Sequence, residues 1–124
     1  MKYLPLLLLF IHPTLAQAGD PIAGAWRGSW QSDKTGHHGP MRAFVHPAND
    51  GYNVLFVGRF AKVIPFAYRS HLTTTGFTDN VVSLAAEKKL PPLGIFRTEA
   101  TVTANVFEAR YSAKVDHGTF RFTR

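Results

Sequence analysis

Between Trp26 and Pro40 the chain reads Trp-Arg-Gly-Ser-Trp-Gln-Ser-Asp-Lys-Thr-Gly-His-His-Gly-Pro. This stretch holds both tryptophans and brings a Ser, an Asp and two His within one loop's reach. In a hydrolytic arrangement Ser32 would be the nucleophile, His37 its base and Asp33 the group that orients the base. The same letters are also ordinary turn chemistry. Asp33 can cap its own backbone, Gly36 can take a positive φ, and Pro40 can open the next strand. No Gly-x-Ser-x-Gly elbow is present. The turn reading is preferred and no catalytic residue is assigned; a hydrolase or metal-dependent enzyme using Asp33 and His37 stays as the alternative.

Metal chemistry would need three or four ligands from His37, His38, His46, His71, His117, Asp33 and Asp116. Imidazole suits zinc and copper, and His46 and His71 fall on predicted strands where they could face inward together. Neither His-x-x-x-His on a helix nor His-Glu-x-x-His occurs, so no metal and no cofactor is assigned. The chain has no cysteine, which excludes thiolate catalysis, thiolate metal sites and disulfides.

Two further groups suit a binding site better than a reaction. Trp26 and Trp30 lie on one face of a strand with Gly28 between them, placed either to line a ligand mouth or to plug a core. Arg59 and Lys62 flank Phe60, and with Arg42, Arg69 and Arg97 they could form a basic-aromatic patch for an anionic ligand. Cross-strand pairing of Arg59 with Glu99 or Glu108 is the plainer use. The candidate ligand-binding residues are therefore Trp26, Trp30, Ser32, Asp33, His37, Arg42 and Arg59.

The elements that must position them read as short strands separated by turn residues. Strands are expected over 25–31, 41–46, 52–60, 63–75, 81–86, 93–102, 106–112 and 118–122. Asp50-Gly51 marks a tight hairpin. Pro65 places its run at an edge or bulge, and Pro91-Pro92 interrupt a central strand. The stretch 85–90 has helical composition, enough for one turn before Pro91. Glycine followed two residues later by an aromatic recurs at Gly24, Gly28, Gly58, Gly94 and Gly118, the pattern of a sharply bent sheet. The expected fold is all-β, a small antiparallel up-and-down barrel or strongly curled sheet of about eight strands.

The N-terminus reads as a signal peptide. Met1-Lys2 is a short positive region, Leu4 to Ile11 is apolar apart from Pro5, and Ala16-Gln17-Ala18 is a cleavage site. The apolar run falls short of the roughly 20 residues a spanning helix needs. Residues 1–18 are thus expected to be removed, leaving 19–124 as one domain, exported to the periplasm or the extracellular space. The formal charge of the whole chain is +6, with the basic residues spread rather than clustered. No nucleic-acid footprint follows; an anionic envelope polymer, a lipid or an acidic protein is the partner class that a basic exported surface fits.

Two resemblances accompany these readings. Gly24-Ala25-Trp26 at the start of a meander resembles the Gly-x-Trp opening of lipocalin-like barrels. More extensively, the chain resembles an uncharacterised family of small exported bacterial proteins. The shared tracts are Trp26-x-Gly28-x-Trp30-x-Ser32-Asp33-x-x-Gly36-His37-x-Gly39-Pro40, then Gly58-Arg59-Phe60-Ala61-Lys62-Val63-Ile64-Pro65-Phe66-x-Tyr68, then Leu93-Gly94-Ile95-Phe96. That resemblance implies export and carries no activity. Relatives often have cysteines in the second half, which this chain lacks.

The leading functional expectation is a non-enzymatic binding module for an anionic or amphipathic envelope ligand or a protein, met at the barrel end near residues 32–40. A structural envelope protein is the third reading.

Overall fold

A computed structural model describes residues 20–61, 63–91 and 94–124. The expected signal peptide and its cleavage site lie outside these residues. The described chain is a closed antiparallel barrel whose strands follow chain order: β1 Gly24–Ser32, β2 His38–Ala48, β3 Gly51–Phe60, β4 Ile64–Thr78, β5 Val81–Lys89, β6 Ile95–Val102, β7 Val106–Ser112 and β8 His117–Thr123. Each strand pairs with its neighbour in sequence, and β1 pairs with β8 to close the ring, Arg27 facing Thr123 through to Ser32 facing Gly118. The all-β up-and-down barrel expected from the period-two patterning is the observed fold.

The strand boundaries differ where a local breaker is outweighed by the sheet. β2 runs from His38 through Pro40 and Pro47 to Ala48, longer than the expected 41–46. β4 includes Pro65, opposite Arg59. The stretch 85–89 is strand rather than helix, because β5 pairs with β6 as far as Lys89 opposite Ile95. The ladder to β6 overrides the weak helical preference of Ala-Ala-Glu-Lys-Lys.

The core follows the alternation. Trp26, Met41, Ala43, Val45, Val54, Phe56, Leu72, Leu84, Val102, Phe107 and Phe122 are all buried, while their strand neighbours face out. Phe56 sits at the centre, its ring 5.1 Å from Tyr68, 5.4 Å from Phe120 and 6.1 Å from Phe122. One barrel end is sealed. There Trp26 packs edge-on against Phe107, its indole N–H donates to the Ile22 carbonyl, and Arg124 lies 4.2 Å over its ring.

Gly28 shows what closure demands. A Cβ built there would stand 1.8 Å from the backbone oxygen of Arg121 on β8, so only a hydrogen lets β1 and β8 approach. Gly76, beside the irregularity in β4, has nothing nearer than 4.0 Å. We expect Gly28→Ala to cost about 1–3 kcal/mol in chemical denaturation through forced overpacking. Gly76→Ala should stay within about 1 kcal/mol of the parent. Equal effects at the two sites would show that the β1–β8 contact is not the tight one.

Candidate functional site

The barrel end opposite Trp26 is open. It is ringed by the turns after β1, β3, β5 and β7, and it holds a cavity of about 510 Å³. Trp30, Met41, Phe60, Phe66, Tyr68, Leu90, Phe96, Tyr111 and Phe120 form its apolar wall, with Ser32, Thr35, His37 and Asp116 as the polar groups. Such a volume and such a lining are those of a small-molecule site.

The space exists because large rings lie against glycines on neighbouring strands. Trp30 faces Gly39, Phe66 faces Gly58, and Tyr111 faces Gly118. A Cβ on those glycines would meet the Trp30 indole nitrogen at 2.9 Å, the Phe66 ring at 2.6 Å and the Tyr111 hydroxyl at 2.7 Å. The aromatic that covers each glycine comes from the paired strand, not from two residues along the same strand as the sequence periodicity suggested. With the rings flat on the wall, the lumen stays open. The walls are stacked further: Trp30 on Phe60 at 5.9 Å, Phe96 on Tyr111 at 5.4 Å, and Tyr111 on Phe120 at 5.0 Å.

Asp116 is the one acidic side chain of this lining, and it is tied down. The Ser32 hydroxyl donates to its Oδ1 at 2.6 Å and the Tyr111 hydroxyl to its Oδ2 at 3.0 Å, while the His117 backbone N–H reaches Oδ1 at 2.9 Å. Ser32 in turn accepts from the backbone N–H groups of Lys34 and Thr35. Burial first, then the bond to Asp116 and its charge, push the Tyr111 phenol well above the usual range. Tyr68 differs. Among the described residues its hydroxyl is the buried side-chain polar atom with no hydrogen-bond partner. Burial, and secondarily Tyr111, hold its phenol strongly protonated.

The candidate residues divide between this mouth and other places. Trp30, Ser32 and His37 line the cavity, His37 resting edge-on against Phe60 at 5.5 Å. Trp26 is at the sealed end. Asp33 faces outward, with Arg110 at 3.1 Å and His117 at 3.7 Å. The turn-capping role expected of Asp33 belongs to the Ser32 hydroxyl. Arg42 is exposed on β2, and Arg59 is exposed on β3 with only its carbonyl used, by the Trp30 indole at 3.0 Å. Glu108 pairs with Arg121, not with Arg59. His46 and His71 point outward, His71 bonding Asn53 and Asp50 at 2.7 Å each. The bond from His71 is the main reason the Asp50 carboxyl is held below its usual range. No group of three or more His, Asp or Glu side chains among the described residues could hold a metal. Asp116, Tyr68 and Tyr111 were not among the candidate ligand-binding residues. The signal for Tyr111 was its period-two phase with Phe107; nothing in the sequence distinguished Tyr68 from a core aromatic.

The sequence matches no protein-family description and no curated protein. Solved structures with the same fold include a redesigned β-barrel, mFAP1, bound to DFHBI, with a TM-score of 0.61 and 15% identity over 87% of this chain and 99% of the other. A second redesigned barrel, b11L5F_LGL, gives 0.62 at 15% identity over 87% and 95%. A de novo designed fluorescence-activating β-barrel gives 0.58 at 16% over 87% and 97%. These define the class of fold, a small closed β-barrel.

Tyr68→Phe should leave thermal stability unchanged or raise it, since it deletes an unpartnered buried hydroxyl. Tyr111→Phe should cost about 1–2 kcal/mol by orphaning Asp116 Oδ2. A larger loss at Tyr68 would reveal a partner for its hydroxyl. Tyr52, pushed up to about 12 by burial and by Asp20, joins Tyr68 and Tyr111 in ionising later folded than unfolded. Their contribution is complete below the unfolded phenol value near pH 10 and is lost above it. Denaturation midpoints should therefore be flat to about pH 10 and fall beyond it.

Proposed function

We propose that this protein is an exported, non-enzymatic binding module whose mouth takes the apolar part of an amphipathic envelope ligand. The observation that carries the reading is the aromatic cavity at the barrel end opposite Trp26, with the Tyr68 hydroxyl buried beside it and without a hydrogen-bond partner among the described residues. Leaving such a group unsatisfied costs about 1–3 kcal/mol, and a ligand that offers it an acceptor recovers that cost. Among the described residues no Lys or Arg lines the cavity. An anionic head would therefore sit at the rim, near Lys34 and Lys114, and not in the lumen. Export rests on the apolar run and cleavage tract of residues 1–18 and on the resemblance to small exported bacterial proteins. The three tracts of that resemblance contribute the turns around the mouth, which is why a shared binding role is attributed to it. The similarity to mFAP1, solved with DFHBI, is in keeping with a barrel of this size admitting one small ligand.

The enzymatic alternative lacks its geometry. Among the described residues no hydrogen bond joins Asp33 to His37, and no histidine bonds Ser32. The purely structural reading would need a filled barrel, and a cavity of about 510 Å³ opposes it.

The test uses the neutral apolar dye N-phenyl-1-naphthylamine. Its fluorescence should rise saturably with one site per chain. Leu90→Trp, which fills the mouth, should weaken binding about tenfold or more, the equivalent of roughly 1.4 kcal/mol, with the barrel still folded. Absence of saturable binding, or an unchanged affinity in Leu90→Trp, would refute the lumen as the site.

A further inference from the structure

Among the described residues six large apolar side chains are conspicuously exposed, and their distribution is one-sided. Phe60, Val63 and Ile64 belong to the β3–β4 turn, Ile95 opens β6, and Val115 lies in the β7–β8 turn; all five ring the mouth. Only Phe77 is at the sealed end. Val63 is 76% exposed and Ile64 54%, values that a water-facing turn gains nothing by keeping. Phe60 and Val115 belong also to the cavity lining, so the apolar rim is continuous with the lumen. Contiguous exposed apolar surface rimmed by polar groups marks an interaction site.

The charges are sorted along the same axis. Exposed Lys34, Arg59, Lys89 and Lys114 stand at the mouth end. The two carboxylates there are occupied, Asp33 by Arg110 and His117, and Asp116 by Ser32 and Tyr111. The sealed end carries Asp20, Asp50 and Asp79 in its turns and lead-in, against the single arginine Arg124. The barrel is thus positive where it is open and apolar, and negative where it is closed. In an anionic field it would approach mouth first.

We infer that the mouth docks on a lipid surface with anionic headgroups. Phe60, Val63, Ile64, Ile95 and Val115 enter the interface, and Lys34, Arg59, Lys89 and Lys114 meet the headgroups. Apolar tips beside basic residues are the combination that holds a protein in the headgroup region. Separate hairpin tips around an opening suit a fluid bilayer, which fills between them, better than a rigid protein face. The inference rests on the lumen being a ligand site, and it supplies the route: the ligand passes between bilayer and lumen without crossing water.

The test is vesicle flotation of residues 20–124, which contain all eight strands. One set of vesicles is phosphatidylcholine alone; the other holds about one-third phosphatidylglycerol, whose charge attracts basic segments. The protein should float with the anionic vesicles and not with the neutral ones. Val63→Asp with Ile64→Asp should weaken binding about tenfold or more, while Phe77→Asp behaves as the parent. Raising salt from about 0.1 M to about 1 M, which cuts the screening length to roughly a third, should weaken but not abolish flotation. In vesicle-free solution the Val63/Ile64 variant should still bind N-phenyl-1-naphthylamine. No flotation, flotation unaffected at Val63/Ile64, or equal loss in Phe77→Asp would overturn the docking while dye binding leaves the lumen reading standing. Retention on polyglutamate without vesicle binding would overturn it in favour of an acidic protein partner. Flotation without dye binding would overturn it as well, since no ligand would then pass.

Discussion

The pairing of β1 with β8 is the contact on which the rest depends. Without it the sheet has two edges, and the aromatic face of every strand is open on one side. With it every strand has a partner on both sides and the inner faces enclose a single volume. The chain ends reinforce the seam from below. Arg124 donates to the carbonyls of Pro21 and Ala23 and covers Trp26, and Asp20 accepts from the Tyr52 hydroxyl and the Ile22 N–H. One end of the enclosed volume is therefore plugged by the segments that begin and finish the barrel. The other end has only hairpin turns, and turns cannot reach across the lumen.

An eight-stranded barrel has just enough interior for its own side chains, so an open half requires a device. Here the device is the placing of glycine opposite aromatic across a strand pair. At Gly39, Gly58 and Gly118 the missing Cβ gives the ring of the partner strand a place on the wall. In the sealed half Gly28 also faces an aromatic, Phe122, but the missing Cβ there makes room for the Arg121–Phe122 backbone and not for a ring, and Trp26, Phe107 and Phe122 fill the axis. The same residue type, aromatic, thus plugs one end and lines the other, and the difference lies in whether its ring lies against the glycine opposite.

This also explains how far the sequence could be read. Strand identity was legible because period-two alternation runs through most of the strands, lapsing in β4 beyond Leu72, where its register with β5 shifts. The barrel was legible because the connections are short and the glycines recur. The site was only half legible. Trp26 and Trp30 share a face, as alternation demands, but four residues of strand separate them by about 13 Å, enough to put one in the plug and the other in the mouth. Alternation gives the face and not the height. Likewise His46 and His71 lie on strands as expected, but the inward orientation open to them is not taken; Val45 and Leu72 hold the inward phase beside them. Asp116 was legible only as a candidate metal ligand, because its partners, Ser32 and Tyr111, come from β1 and β7. Only closure and the β7–β8 turn bring them together.

The anchored carboxylate bears on how a ligand would lie. Asp116 stands at the cavity wall with two hydroxyls and a backbone N–H around it, and among the described residues no lysine or arginine lines the space. A second negative charge brought there would lose its hydration and gain only repulsion. An apolar body suffers neither, and a single acceptor near Tyr68 would find an unused donor. The electrostatics of the lumen and of the rim are thus opposite in sign, and together they would orient the proposed amphipathic anion one way: tail inward along the aromatic wall, head outward among the lysines.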